Sequence, residues 1–214
     1  MNAASLRDGA FALGVSLSER QCDQLLAYGE LILKWNKVYN LTALRDPATV
    51  LTHHLLDSLS VIKPLARECP AREGMRTLLD VGAGAGLPGV VIALLRNDVQ
   101  VTCLDAVAKK VAFVQQVAAE LSLPNLRARH ARVETLSGAY DVISSRAFAS
   151  LPDFYSGSAQ LLAPHGVWLA MKGKVPADEL AELPSSVAVF HVEHLEVPGL
   201  DAERCIVWAR KAAA

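Results

Sequence analysis

The segment Leu79-Asp80-Val81-Gly82-Ala83-Gly84-Ala85-Gly86-Leu87-Pro88-Gly89 narrows the choice of fold more than any other part of the chain. An apolar run that reads as a buried strand passes straight into a turn with glycine at every second position, then into a helix that Pro88 is suited to begin. Glycines at 82, 84 and 86 remove side chains where the backbone must turn tightly and come close to a ligand. That makes Gly82, Ala83, Gly84 and Gly86 candidate cofactor-binding positions. In an open α/β sheet such a turn lies at the carboxyl edge of the first strand, beside the reversal of strand order where these folds bind ligands.

The surroundings of the turn support that setting. After Arg76, short apolar runs at 77–81, 99–105, 126–131, 140–144 and 167–171 read as strands, and they alternate with helical patterns at 88–96, 108–121 and 152–162. Alternation of this kind implies a parallel sheet with right-handed crossovers and helices on both faces. Two β-rich runs at 187–197 and 205–209 follow with only a short loop between them, so they must pair antiparallel. Before Arg76 the chain reads as helical. Ser18 is a plausible N-cap for an amphipathic helix ending at Tyr39, and Pro47 suits the first turn of a second helix to about Ala66. The expected organisation is a helical cap and linker over residues 1–76 and an α/β domain over 77–214.

Bulk composition limits the alternatives. With 214 residues, 52% of them hydrophobic, the chain has enough material for a full core without disulfides. Cys22, Cys69, Cys103 and Cys205 form no CxxC pair, which fits buried thiols in a reducing compartment better than a zinc site or a disulfide framework. No metal site is expected. No stretch approaches the roughly 18 apolar residues of a membrane helix, and the first residues lack the basic start and apolar run of a signal peptide. A cytoplasmic protein, without membrane association, is the expectation. Lysine and arginine number 21 against 22 acidic residues, so nucleic acid is not expected to be held over one broad basic surface, although a local patch is compatible with this balance.

Asp105 closes the second strand, 23 residues after Gly82. A carboxylate there can accept both hydroxyls of a ribose; its plainer alternative is a cap for the helix that begins near Ala108. These two signals leave the cofactor open. Gly84 to Gly89 spells GxGxxG, with Asp105 21 residues from its first glycine, as in nicotinamide dinucleotide sites. Yet the strand ends at Val81, so the turn starts at Gly82, and the phasing from there is that of an adenosyl-methionine loop. The terminal hairpin also matches the antiparallel seventh strand of adenosyl-methionine-dependent methyltransferases.

Further motifs follow in order: Trp35-Asn36-Lys37-Val38-Tyr39-Asn40-Leu41-Thr42, His54-Leu55-Leu56-Asp57-Ser58, Lys109 to Phe113, Ser145-Arg146-Ala147-Phe148-Ala149-Ser150-Leu151 and Met171-Lys172-Gly173. With the glycine turn and Leu104-Asp105, they resemble the successive motifs of the bacterial small-subunit ribosomal RNA methyltransferase G family, also called glucose-inhibited division protein B. The resemblance runs from about Leu25 to Arg210. It implies a Rossmann-like class I fold, a seven-stranded mostly parallel sheet with an antiparallel C-terminal hairpin and an N-terminal helical cap. It also implies methyl transfer from S-adenosyl-L-methionine to nitrogen 7 of one guanine in 16S rRNA, in the decoding region of the 30S subunit or its precursor. Carried over by position, the family's cofactor contacts fall on Gly82, Leu87, Val133, Glu134 and Arg146. A monomer is expected.

The end of the fourth strand bears on the target atom. Enzymes that methylate an exocyclic amine usually carry an Asn/Asp-Pro-Pro-aromatic run there, and this chain has Ser144-Ser145-Arg146-Ala147-Phe148. Methylation of a pyrimidine ring carbon needs a cysteine nucleophile, and Cys103 sits inside a strand. Guanine nitrogen 7 fits both absences, because its lone pair is free and no proton need be removed first. Arg146 and Lys172 are the candidate catalytic residues, as donors to guanine oxygen 6 or to phosphate; Phe148 is a candidate for stacking.

His54, Asp57 and Ser58 share one helical face and are expected to form a buried cluster joining cap to sheet. His53 stands where the family often has arginine. Candidate RNA contacts are Lys34, Lys37 and Arg45 in the cap and Arg127, Arg129, His130 and Arg132 around the third strand. Two other readings stay open at this point: a small nicotinamide-dependent oxidoreductase, and a non-catalytic nucleotide-binding regulator that binds cofactor without turnover.

Overall fold

The computed structural model describes residues 1–146 and 150–212. Helices α1 (Ala3–Ala12), α2 (Glu19–Tyr39), α3 (Pro47–Val50), α4 (Asp57–Leu59) and α5 (Ile62–Glu68) precede the sheet, with a π-helical turn at Leu51–Leu56 between α3 and α4. Then come β1 (Arg76–Val81), α6 (Gly89–Leu95), β2 (Val99–Asp105), α7 (Ala108–Glu120), β3 (Leu126–His130) and β4 (Tyr140–Arg146). The chain closes with α8 (Leu151–Ser158), β5 (Leu162–Lys172), α9 (Ala177–Ala181), β6 (Val187–His194) and β7 (Cys205–Lys211). The seven strands lie in the order β3-β2-β1-β4-β5-β7-β6. β1 to β5 are parallel, and β7 inserts antiparallel between β5 and β6.

Local chemistry accounts for several boundaries. Ser18 caps α2 by accepting from the Gln21 N–H, while the Gln21 side chain accepts from the Ser18 N–H; two of the orphan donors at the helix start are thereby satisfied. The single helix expected over 47–66 is instead three short α-segments around a π-turn. Pro64 has no N–H to give to a helix interior, and the chain restarts at Ile62 so that Pro64 falls in the first turn, where none is needed. Helix α1 was not anticipated. It is capped by Asn2 but buries only Leu6, Gly9 and Ala10, too weak a stripe to read from sequence. β4 runs two residues past the expected Ser144, to Arg146, because Ser145 and Arg146 are paired in register with Ala170 and Met171 of β5.

β1 divides the core by the alternation of a strand. Leu78 points into a cluster that also holds Val90, Val101 and Phe113, together with Leu6, Leu25, Ile32, Leu55 and Leu59 from the helices before β1. Leu79 and Val81 point the other way, toward Ile143, Phe154, Tyr155 and Trp168. The N-terminal helices therefore share a core with the sheet's first face, and this packing holds them over the carboxyl ends of β1, β4 and β5.

Candidate functional site

The glycine turn is held from both ends. Asp80 is fully buried; its Oδ2 accepts from the Gly89 N–H at 2.9 Å and its Oδ1 from the Ser144 hydroxyl at 2.8 Å. Burial pushes its carboxyl up to about 6, against the lowering effect of those two hydrogen bonds. Gly82, Gly84 and Gly86 all have positive φ, 66°, 61° and 87°. Gly86 has a packing reason as well, since a Cβ there would lie 2.5 Å from Val90 Cγ2. Gly84 does not: a Cβ there would meet only the Gly82 carbonyl, at 3.9 Å, and would stand over open space. The Tyr28 hydroxyl, from the cap, donates to the Ala85 carbonyl at 2.6 Å and pins the crest of the turn.

On one side of the turn lies a hollow of about 200 Å³ bounded by Gly82, Asp105, Ala106, Arg132, Val133 and Glu134. Asp105 accepts from the Gly84 N–H at 3.0 Å through Oδ2 and from the Val107 N–H at 2.9 Å through Oδ1. The carboxylate thus braces both the turn and the start of α7, and it keeps further lone pairs for a ligand. Val133 is buried and Glu134 exposed on a single 3₁₀ turn, Val133–Thr135, beyond β3. An apolar wall at Val133, a carboxylate at Asp105 and a bare glycine backbone between them match the ring, ribose and linkage of an adenosyl group.

On the other side of the turn is a cavity of about 570 Å³, which also reaches Gly82 and takes in Leu41, Thr42, His53, His54, Asp57, Leu87, Arg146, Lys172 and Arg204. Asp57, buried on α4, is its hub. Arg146 Nη1 donates to Asp57 Oδ2 at 2.8 Å, and Arg204 Nε donates to Asp57 Oδ1 at 2.8 Å. Arg146 Nη1 also donates to the His53 carbonyl at 3.0 Å. The π-turn makes this possible. In an α-helix the Asp57 N–H would take that carbonyl, whereas here it bonds the His54 and Thr52 carbonyls, leaving the His53 carbonyl to side chains: Arg146 and the His54 ring, whose Nδ1 lies 3.0 Å away.

His54 Nε2 lies 2.9 Å from the Thr42 hydroxyl. Burial, reinforced by the Arg146 charge, lowers His54 to about 4, so the ring is neutral at physiological pH. Thr42 is itself fixed by Asn36, whose Oδ1 accepts from the Thr42 N–H at 2.9 Å while its Nδ2 donates to the Leu44 carbonyl at 2.8 Å.

The structure brings Gly82, Ala83, Gly84, Leu87, Arg146 and Lys172 to one cavity and Gly82, Asp105, Val133 and Glu134 to the other, with Gly82 common to both. Gly86 lines neither and packs the turn against α6. Lys172 is engaged, its Nζ 3.1 and 2.7 Å from the two carboxylate oxygens of Glu179. Phe148 lies outside the described residues. His54 and Asp57 form the expected joint between cap and sheet and are at the same time cavity walls; the Ser58 hydroxyl is buried, with no hydrogen-bond partner among the described residues. Arg204, Glu179 and Tyr28 were not anticipated. Arg204 stands in the β6–β7 connection with no motif to mark it. Among the described residues no group of three or more His, Cys, Asp or Glu is placed to hold a metal ion, and no helix is long and apolar enough to cross a membrane.

This strand order, with a glycine turn after β1 and an acidic residue closing β2, defines the Rossmann-like fold of class I S-adenosyl-methionine-dependent methyltransferases. The turn starts at Gly82, immediately after β1, as the adenosyl-methionine phasing requires. Solved structures with the same fold include TrmN from Thermus thermophilus, with a TM-score of 0.59 and 19% identity over 76% of this chain and 53% of that one. A SAM dependent methyltransferase from Aquifex aeolicus gives 0.57 and 16%, over 77% and 93%.

Sequence comparison narrows the class. The model of the rRNA small subunit methyltransferase G family matches residues 21–207, and the chain belongs to that family. Proteins named ribosomal RNA small subunit methyltransferase G from Acidovorax sp. (strain JS42) and from Polaromonas sp. (strain JS666 / ATCC BAA-500) are each 61% identical to it. The first alignment covers 98% of this chain and 95% of the relative, the second 98% and 94%.

Proposed function

We propose that this enzyme transfers the methyl group of S-adenosyl-L-methionine to nitrogen 7 of one guanine in 16S rRNA, on the 30S subunit or its precursor. In this reading residues 1–76 are a cap that closes the acceptor side, 77–214 are the catalytic domain, and the protein works as a cytoplasmic monomer. The observation that carries the choice of atom is Arg146. It presents a guanidinium, a pure hydrogen-bond donor, at the carboxyl end of β4, where an amine-directed enzyme needs an acceptor.

When bound, S-adenosyl-L-methionine supplies an electrophilic methyl on a sulfonium. Gly82, Ala83, Gly84 and Gly86 shape the turn that would hold it, Asp105 would accept from the ribose hydroxyls, and Val133 with Glu134 would border the adenine. Leu87 and Arg146 would border the methionine end. On the acceptor side Arg146 donates to guanine oxygen 6, the edge beside nitrogen 7, and Lys172 neutralises Glu179 at the cavity wall or turns to a phosphate. No general base is required, because the nitrogen 7 lone pair is free and would take the methyl without loss of a proton, with S-adenosyl-L-homocysteine as the other product. The protein's contribution is placement in line and at near-attack distance, worth several kcal/mol of barrier, with an upper range of roughly 7 to 11.

The test is transfer of labelled methyl to 30S subunits lacking native modification and, in parallel, to naked 16S rRNA, followed by borohydride and aniline cleavage at 7-methylguanosine. One cleavage site in the decoding region is expected. Label without cleavage rejects nitrogen 7, and cofactor binding without label rejects the rRNA substrate.

A further inference from the structure

We propose that a second hollow, between the C-terminal half of α2 and the segment leading into α3, is a subsite for the nucleotide adjoining the target guanine in the RNA strand. Lys37 and Arg45 hold its phosphate, and its base lies against Leu33 and Pro47. The inference rests on the reading of the chain as an rRNA methyltransferase and goes beyond it by adding a recognition site outside the reaction cavity.

The hollow measures about 420 Å³ and is lined by Leu33, Asn36, Lys37, Arg45 and Pro47, within the size range of small-molecule sites. Its chemistry suits a nucleotide: two exposed cations stand beside the apolar Leu33 and Pro47. Lys37 and Arg45 are exposed, and among the described residues neither stands within ion-pair distance of a carboxylate. Arg45 is aimed without being neutralised, its Nη2 donating to Asn40 Oδ1 at 3.1 Å. The adjoining carboxylate, Asp46, is occupied as the cap of α3, accepting from the Thr49 N–H at 2.8 Å and the Thr49 hydroxyl at 2.9 Å. None of the five residues that line the hollow is acidic.

Position strengthens the case. The segment that carries Arg45 also supplies Leu41, Thr42 and Leu44 to the reaction cavity. One wall therefore separates the two hollows, and Asn36, clamped to both Thr42 and Leu44, fixes its shape. A strand that turns one base into the reaction cavity lays its neighbour over this wall. Strand β3 also exposes arginines, Arg127 and Arg129, but cations on an edge strand serve to block edge-to-edge pairing.

The experiment compares wild type, the K37Q/R45Q double variant and L33W in labelled methyl transfer to 30S subunits lacking native modification, over a range of salt. For K37Q/R45Q the KM for 30S subunits should rise tenfold or more with kcat within about twofold. Removing two phosphate contacts should flatten the dependence of log kcat/KM on log salt by about 1.4. L33W, which fills the hollow without changing charge, should raise KM and leave the salt slope alone. Unchanged KM and slope in the double variant overturn the proposal. So does an unaffected L33W, which would reduce the site to diffuse charge, and so does a parallel loss of S-adenosyl-L-methionine affinity, which would mean that these residues only support the wall. No transfer by the wild type rejects the underlying reading, and this proposal with it.

Discussion

On the β3 side of Gly82 the site is made of short local pieces: the start of the glycine turn, one carboxylate bracing two N–H groups of the turn and of α7, and one short 3₁₀ turn, while Gly84 already faces the larger cavity. On the β5 side it is made of long side chains meeting across the fold, with Arg146 and Arg204 on Asp57, His54 on Thr42, and Lys172 on Glu179. Each piece of the first half is specified by its own short stretch of chain. The second exists only after the cap, β4 and the β6–β7 connection have been brought together. A cofactor that is the same in every cycle can be met by a preformed backbone cradle, whereas an acceptor base must be gripped by groups that donate, and those must be held apart from each other until it arrives. A single buried carboxylate between two arginines does the holding.

If the two halves are separate in this sense, substitutions should split by which quantity they change. The largest effect is expected for R146A, with kcat/KM for 30S subunits down about 1000-fold, at the upper end of the loss from removing one transition-state donor. Its S-adenosyl-L-methionine affinity, measured by calorimetry, should fall no more than tenfold. G84V should do the reverse. Its side chain enters open space beside the turn, so affinity should drop at least 100-fold, while strain at a φ of 61° costs about 1 to 2 kcal/mol of stability, less than strain and overlap together cost G86A. A melting loss as large as that of G86A would erase the distinction between these two glycines. G86A combines strain at a φ of 87° with a 2.5 Å approach to Val90. It should lose about 3 kcal/mol in urea unfolding.

Acid tests the two halves through stability. His54 titrates at about 4 in the fold against 6.5 when unfolded, so the unfolded chain takes the proton first. His54 therefore costs stability as pH falls from 6.5 to 4, by up to about 3 kcal/mol. Asp80 has the opposite sign, at about 6 in the fold against 3.8 unfolded. The folded chain takes that proton first, and stability is lost as pH rises through the same interval. The two slopes offset one another in the wild type. In urea unfolding between pH 6.5 and 4, D80N should expose a loss of stability toward acid and H54Q a gain. The smallest effect is expected for K172A. Its charge is already matched by Glu179, and transfer should fall less than tenfold; a 100-fold loss would place Lys172 on the substrate.

Much of the donor half was legible in the sequence because its demands are local. Alternating glycines, the strand that feeds them and an acidic residue closing the next strand each follow from backbone geometry, and Asp105 serves as a brace of the turn as well as a candidate ribose acceptor. The acceptor half was legible only in part. Asp57 could be read as a cap-to-sheet joint from its helical face, but its partners lie 89 and 147 residues away, and Arg204 carries no motif. The π-turn that frees the His53 carbonyl leaves no trace in the hydrophobic period, and the Glu179 partner of Lys172 comes from a helix too short and exposed to announce itself.

The separation of the halves is tested most directly with D57N, in which the positioning carboxylate is lost and every glycine remains. Breaking a buried ion cluster costs about 3 to 5 kcal/mol, so the variant is first shown to be folded by near-ultraviolet circular dichroism. Affinity for S-adenosyl-L-methionine and the single-turnover rate of methyl transfer to 30S subunits are then measured on the same preparation. The account predicts affinity within about threefold of wild type and a rate at least 100-fold lower. Affinity and rate falling together would contradict it, because the two sides of Gly82 would then be one structure.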